Sequence, residues 1–406
     1  MKISNVLKLY VYQVFSYAFF DRAIFTIYLS ERGVSLAQIG LLQGILWIST
    51  FVAEVPMGLL GDRIGRKPLI IFGRASIVVY SVLMAVGGPL WLFVLAFLLF
   101  GLGEAAISGA DVSLLYESAR DEGHKGDFTK VAGRFRGLAS ASLSAAMLVG
   151  GFMQVVSWNL VFLSAAALHL VTIGIVLTVP DVRSDGDERT TFRGMATELT
   201  TALRADRNLI AFVLGASLVG SSFTTLIIYA PVLLTDRHFD TPAVSTIMTV
   251  AVGLGALASM TAWRIIRRTG DRLFFVLVPS ACGVLMLALA ETRWLLLAGL
   301  LLVLAFTHDL IEPVANRVLN DRVGDRIRAS ILSLYSATFS FISVILFPVA
   351  GWMADRYSFT AAVIVLGLLC LPAALLMSRG AVLPIAPQPA EQAPEPVPAR
   401  DVAGHV

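Results

Sequence analysis

Several ionisable side chains stand where they are costly to keep. Glu104 and Asp111 lie in one apolar run at a spacing of two helical turns, which puts both on one face of a helix. His308, Asp309 and Glu312 cluster in a second run, with Arg317 further along it. Asp21 and Arg22 interrupt the first run of the chain, Glu54 stands two residues before Pro56, and Arg74 lies inside a third run. Within a bilayer such groups cost about 3 kcal/mol each on insertion scales, so they gather where they are used. The chemistry they offer is reversible proton binding. A carboxylate in a low-dielectric cavity holds its proton more tightly than in water, and histidine titrates near neutrality without help. Glu104, Asp111, Asp309 and Glu312 are the first candidates, with His308 and Asp21 behind them. The alternative is structural: Asp21–Arg22 and Glu312–Arg317 as helix-to-helix ion pairs, and Glu54 with Pro56 fixing the packing and kink of its helix. His169 and His124 are read as bland. Tyr12, Phe15, Tyr17, Phe223 and Tyr229 are aromatics that either face a cavity or pack against lipid and neighbours.

The elements that carry these groups are long and apolar. About 20 apolar residues cross a hydrocarbon core as a helix. Twelve such runs are legible: 9–29, 40–61, 69–88, 90–118, 134–154 and 158–179, then 209–234, 243–266, 273–290, 294–320, 328–350 and 358–378. The fourth and tenth are the least apolar, and they hold most of the charges. The pattern predicts an all-α membrane protein: a six-helix bundle over 1–180, a linker over 181–208, a second bundle over 209–378 and a tail over 379–406. In the linker Phe192, Met195, Leu199 and Leu203 recur at helical spacing, which predicts a short amphipathic helix on the membrane surface. The tail has six prolines between Pro384 and Pro398 and is expected to be disordered. Lys2 and Lys8 precede the first run as in a signal peptide, but Asp21 and Arg22 and the many later runs favour a retained first helix.

Composition agrees with a membrane chain and narrows its function. Of 406 residues, 57% are hydrophobic and 15% charged, too few charges to wet a soluble protein of this length. The net charge of +3 matters less than its placement. Twenty-six of the 31 lysines and arginines fall in or beside the segments on one side of the runs. Only Arg32, Arg237, Arg293 and Arg356 fall on the other, with Arg22 inside the first run. The positive-inside rule then places both termini in the cytoplasm, in a plasma membrane. The cysteines, Cys282 and Cys370, sit in separate apolar runs with no zinc or disulfide spacing. The sequence contains no H-E-x-x-H, no G-x-S-x-G and no P-loop, which argues against an enzyme or a primary pump. No metal, cofactor or nucleic-acid partner is expected.

Between the second and third runs the chain reads Gly58-Leu59-Leu60-Gly61-Asp62-Arg63-Ile64-Gly65-Arg66-Lys67. Gly58 and Gly61 let neighbouring helices approach, Gly65 permits a tight turn, and Asp62 can accept from a helix N-terminus and pair with an arginine. This segment resembles the signature loop of the major facilitator superfamily, G-x-L-[AG]-D-R-x-G-R-[RK], at every position. A degenerate copy follows the eighth run, from Trp263 through Arg267, Gly270 and Asp271 to Arg272, and Gly351 to Arg356 echoes the pattern after the eleventh. The resemblance implies twelve transmembrane helices in two pseudo-symmetric six-helix bundles. Helices 1, 4, 7 and 10 would line a central cavity, and the 58–67 segment would act in conformational gating. Glu117, Arg134, Arg136, Arg317 and Asp321 look like inner-gate residues. Spacing also suggests that Glu104 and His308 are counterparts across the pseudo-twofold.

The resemblance implies a secondary transporter working by alternating access with protons and a small molecule as its partners, in a lipid bilayer, in a fold able to work as a monomer. If proton and cargo compete for the same carboxylates the outcome is antiport; if protonation aids binding it is symport. Acidic cavity residues favour export of an amphipathic or cationic compound, and proton-coupled uptake of a nutrient is the alternative. A non-transporting sensor or lipid-handling protein ranks below both. Drug–proton antiporters of the superfamily carry an arginine four residues before a glycine in helix 4, where this chain has Phe97 before Gly101. They also carry a Gly-Pro pair in helix 5, where this chain has Gly150-Gly151.

Overall fold

The computed structural model describes residues 4–123, 127–180, 207–292, 295–322 and 328–381. The linker helix and the proline-rich tail lie outside these residues, as does His124, and the side chain of Asp62 is likewise not described. Among the described residues the elements are all helices: α1 (Asn5–Ser16), α2 (Phe25–Glu31), α3 (Leu36–Ile64), α4 (Arg66–Val86), α5 (Leu90–Ile107), α6 (Ala110–Asp121) and α7 (Phe128–Val156), followed by α8 (Trp158–Leu177), α9 (Arg207–Asp236), α10 (Thr241–Glu291), α11 (Leu295–Asp309), α12 (Ile311–Arg322), α13 (Arg328–Arg356) and α14 (Phe359–Ala381). Helices are the expected outcome, because a lipid-exposed backbone must satisfy its own hydrogen bonds.

Ten helices among the described residues are long and apolar enough to cross a membrane. One of them, α10, is two crossings joined at Gly270, whose φ of 73° breaks the helical path. The first crossing is the pair α1 and α2, each piece too short to count alone. Twelve crossings result, within a few residues of the runs read from the sequence. Connections are short and capped. Ser35 and Gln38 form a reciprocal capping box at the start of α3, Asp240 accepts from the Ala243 amide at the start of α10, and Ser157 accepts from the Leu160 amide at the start of α8.

Three crossings are discontinuous, and these carry the charged clusters. The first is interrupted between Ser16 and Phe25, the fourth at Ser108–Gly109, where Gly109 is left-handed at φ 76°, and the tenth at Leu310. Broken membrane helices place free backbone groups and helix ends deep in the protein, where they can serve a ligand or an ion. The two half-helices α6 and α12 match each other. Each has an acid as its second residue, Asp111 in α6 and Glu312 in α12. Counted from the helix starts, Asp111 and Glu312 hold matching positions in the two half-helices.

The two halves of the chain meet at the end remote from the 58–67 loop. α3 lies antiparallel to α13, with Gly40 against the Phe347 carbonyl and Trp47 against the Phe339 ring at 5.3 Å. α7 meets α10 where Ser245 donates to the Met147 carbonyl and a methyl at Gly151 would strike the Ser245 side chain. Toward the loop end Gly58, Gly133 and Gly137 have nothing within 4 Å of a would-be methyl. The contacts that join the halves therefore close the end remote from the loop.

Candidate functional site

A cavity walled by the first half of the chain is built on the break in the fourth crossing. About 480 Å³ in volume, it is lined by Gln13 and Tyr17 beside the first break, Glu104, Ile107, Asp111 and Val112 around the second, and Phe135, Arg136 and Leu143 of α7. Glu104 is half-buried and Asp111 is buried at 9% exposure. The Val112 amide donates to Asp111 at 2.7 Å, so the carboxylate sits on the first turn of α6, where the helix dipole favours a negative charge. The apolar and aromatic walls with two carboxylates suit a ligand with an apolar body and a positive or hydrogen-bonding group.

Arg74 stands behind this cavity. It is 2% exposed and donates from Nε and Nη2 to the Tyr12 hydroxyl at 3.1 and 2.9 Å, and from Nη1 to the Ser16 carbonyl at 3.1 Å. That carbonyl ends α1, so the guanidinium caps a helix C-terminus with a positive charge. Its charge acts on both Glu104 and Asp111. Close crossing of α4 and α5 brings it there: a methyl at Gly73 would lie 2.6 Å from the Gly103 carbonyl oxygen. The sequence marked Arg74 as a costly charge without giving it a role. Its signal was its type and place alone, since the tyrosine that accepts from it lies far away in the chain.

The other candidates fall in different places. Asp21 does not line the cavity. It is 5% exposed and accepts from the Tyr80 hydroxyl at 2.7 Å, while its backbone carbonyl accepts from the Ile24 and Phe25 amides at the entry to α2. Arg22 is exposed, and the carboxylate of Asp21 is held by Tyr80 in place of the alternative Asp21–Arg22 pair. In the second half, His308 stacks on Phe223 at 3.8 Å and its Nδ1 lies 2.8 Å from Asp309 Oδ1. Asp309 packs against Gly255, and Glu312 is exposed. None of the three lines the cavity of Glu104 and Asp111. Of the aromatics, Tyr17 alone reaches it; Tyr12 serves Arg74, and Tyr229 donates to the Leu36 and Phe347 carbonyls.

At the loop end Gly65 makes the turn, at φ 98°, and a methyl at Gly61 would lie 2.6 Å from Leu69 Cδ1. Gly58 faces open space, so the expected close helix contact is absent there in this conformation. Lys67 donates to the Leu177 and Val179 carbonyls, both at 2.8 Å, capping the end of α8. Arg63 and Arg134 are exposed. Arg66 and Glu117 face a second cavity of about 320 Å³ with Ser113, Tyr116 and Phe128. Arg317 pairs with Asp271 at 2.6 Å and reaches Asp321 at 3.9 Å, which replaces the alternative Glu312–Arg317 pair. Asp271 follows Gly270 as Arg66 follows Gly65, with the charge reversed. The degenerate copy therefore keeps an acid in use, paired with Arg317.

Twelve apolar crossings, two pseudo-symmetric bundles and a charged cavity at broken helices define a multi-pass α-helical membrane transporter. The chain belongs to the Major Facilitator Superfamily, whose sequence profile matches residues 10–291 and 273–404. The inner membrane transport protein YajR of Escherichia coli K12 is 36% identical over 148 residues, which is 36% of this chain and 31% of YajR. The match thus spans under a third of that relative. The class H tetracycline resistance protein of Pasteurella multocida is 24% identical over 294 residues, 70% of this chain and 72% of that protein. The crystal structure of the nucleoside transporter NupG superposes with a TM-score of 0.81 at 16% identity, covering 93% of this chain and 99% of NupG. A D-xylose–proton symporter superposes at 0.69 and 14% identity, covering 92% and 96%. These two structures share the fold.

Proposed function

We propose that the chain moves a small amphipathic or cationic molecule out of the cell in exchange for protons, by alternating access. Glu104 and Asp111 are the carboxylates for which proton and cargo compete. The observation that carries this reading is their joint presence in one cavity with Tyr17, Ile107, Phe135 and Leu143 and with the buried cation Arg74 close by. A cation entering this cavity meets two carboxylates beside the single lining cation Arg136; protonation of the carboxylates removes their attraction and releases it. The positive-inside distribution supports a cytoplasmic loop end and cytoplasmic termini in a plasma membrane, with the closed end facing out. Similarity to tetracycline resistance proteins of classes H and B supports export. The nucleoside and xylose transporters among the structural neighbours keep proton-coupled uptake as the second reading.

The test is accumulation of a panel of cationic dyes and antibiotics in efflux-deficient cells, beside Glu104→Gln and with an uncoupler. Lower accumulation, abolished by both the variant and the uncoupler, is the expected result. Higher accumulation would establish uptake instead, and unchanged accumulation across the panel would remove broad export.

A further inference from the structure

The hexapeptide pattern G-x-x-[GA]-D-R occurs twice, at residues 58–63 and at 351–356. Each copy closes a helix of 29 residues, α3 and α13, and these two helices lie side by side from opposite halves of the chain. At the closed end, the Asp355 carboxylate accepts from the Leu36 amide at 3.1 Å through Oδ1 and from the Ala37 amide at 2.8 Å through Oδ2. Ser35 accepts from the next amide, Gln38, at 3.3 Å. The first amides of a helix have no partner within it; here two of them are satisfied from the other half of the chain. Gly351 lets the end of α13 seat against α3, since a methyl there would overlap the Leu36 carbonyl. The Tyr229 hydroxyl donates to Leu36 O at 3.0 Å and to Phe347 O at 2.7 Å, stitching α9 to both helices.

The antiparallel register has Gly40 beside Phe347, Gly44 beside Val344 and Trp47 beside Phe339. Continued to the other end, it brings Asp62 to within about one helical turn of the start of α13 at Arg328. We propose that Asp355 is the latch of the closed end, capping the N-terminus of α3 in the state seen here. The same hexapeptide on α3 is its counterpart, used in the reverse sense when the loop end closes. The two copies are one device installed twice, each helix carrying the cap for the other. Each cap is made only when the halves meet at its own end, so one is released before the other forms. This rests on the alternating-access reading above. An exposed carboxylate on two amides biases the equilibrium without locking it, because removing a helix cap changes a population ratio by about 2- to 30-fold.

The test uses the full chain in nanodiscs with Cys282 and Cys370 replaced by alanine. Spin labels at Val156→Cys and Tyr357→Cys, both exposed and at the closed end on opposite halves, report its opening. Asp355→Ala is expected to raise the ratio of the long to the short distance population by about 2- to 30-fold. Asp62→Ala should lower it, and the double variant should return toward the parent. Asp355→Asn keeps one acceptor oxygen and should fall between, which carries the comparison if the alanine variant does not fold. An unchanged ratio in the Asp355 variants, with two populations present in the parent, overturns the latch while leaving alternating access standing. A single distance under every condition and in every variant overturns alternating access and the latch together.

Discussion

Glu104, Asp111 and Arg74 form the charge arrangement on which the proposed coupling depends, and each has a distinct expected phenotype. Glu104→Gln keeps size and hydrogen bonding but removes the titratable charge, so proton-driven transport should be lost while folding is retained. Asp111→Asn should weaken transport similarly and also remove a favourable charge from the first turn of α6, worth about 0.3–1 kcal/mol. Arg74→Ala strips three hydrogen bonds from Tyr12 and the end of α1. Bonds to a charged group contribute about 1.5–3 kcal/mol, so this variant should unfold at a clearly lower temperature, measured in detergent by intrinsic fluorescence. Arg74→Lys should recover only part of the loss, because one ammonium does not reproduce the planar fork that bridges the two acceptors. These carboxylates were legible as candidates from type and position alone. What the sequence left hidden was their grouping. Asp21 reads as a cavity acid until Tyr80 is seen to bind it, and His308 and Asp309 read as cavity residues until the cavity is seen to be walled by the first half.

At the scale of elements, the broken crossings and the glycine contacts decide what moves. The twelve runs were legible because a continuous apolar stretch admits no alternative to a helix in lipid. The interruptions were less so: Gly109 is one glycine among 33, and the breaks at 17–24 and at Leu310 carry no glycine at all. Close packing at the closed end gives a sharper prediction. A methyl at Gly151 would strike Ser245 across the halves, whereas one at Gly58 meets open space. Gly151→Ala should therefore prise the closed end apart and raise labelling of a cysteine placed at Met147, while Gly58→Ala should leave that labelling unchanged. Lys67→Met removes the cation from the end of α8 and should cost about 0.3–1 kcal/mol of stability, read as a lower melting temperature in detergent. The repeat of G-x-x-[GA]-D-R was visible in the sequence as an echo of the signature, but its use as a cap for α3 required seeing which helix start it meets.

The whole molecule is two bundles joined at one end, with Glu104 and Asp111 in the first bundle and the paired charges Asp271–Arg317 in the second. The loop-end charges are arranged with opposite sign in the two halves, Arg66 with Glu117 along one cavity and Asp271 with Arg317 in the other half. Reversing one of them, as in Arg317→Glu, should set two acids against each other and favour splaying at that end. Less opening at the remote end should be read from the same spin-label pair. The account as a whole requires that cargo and protons share one site. The most direct measurement is proton movement in proteoliposomes that hold a pH-sensitive dye, driven by a gradient of a compound exported in the cell assay. Cargo flow should be matched by proton flow in the opposite direction, and Glu104→Gln and Asp111→Asn should abolish the exchange. Proton flow that persists unchanged in both variants would contradict it.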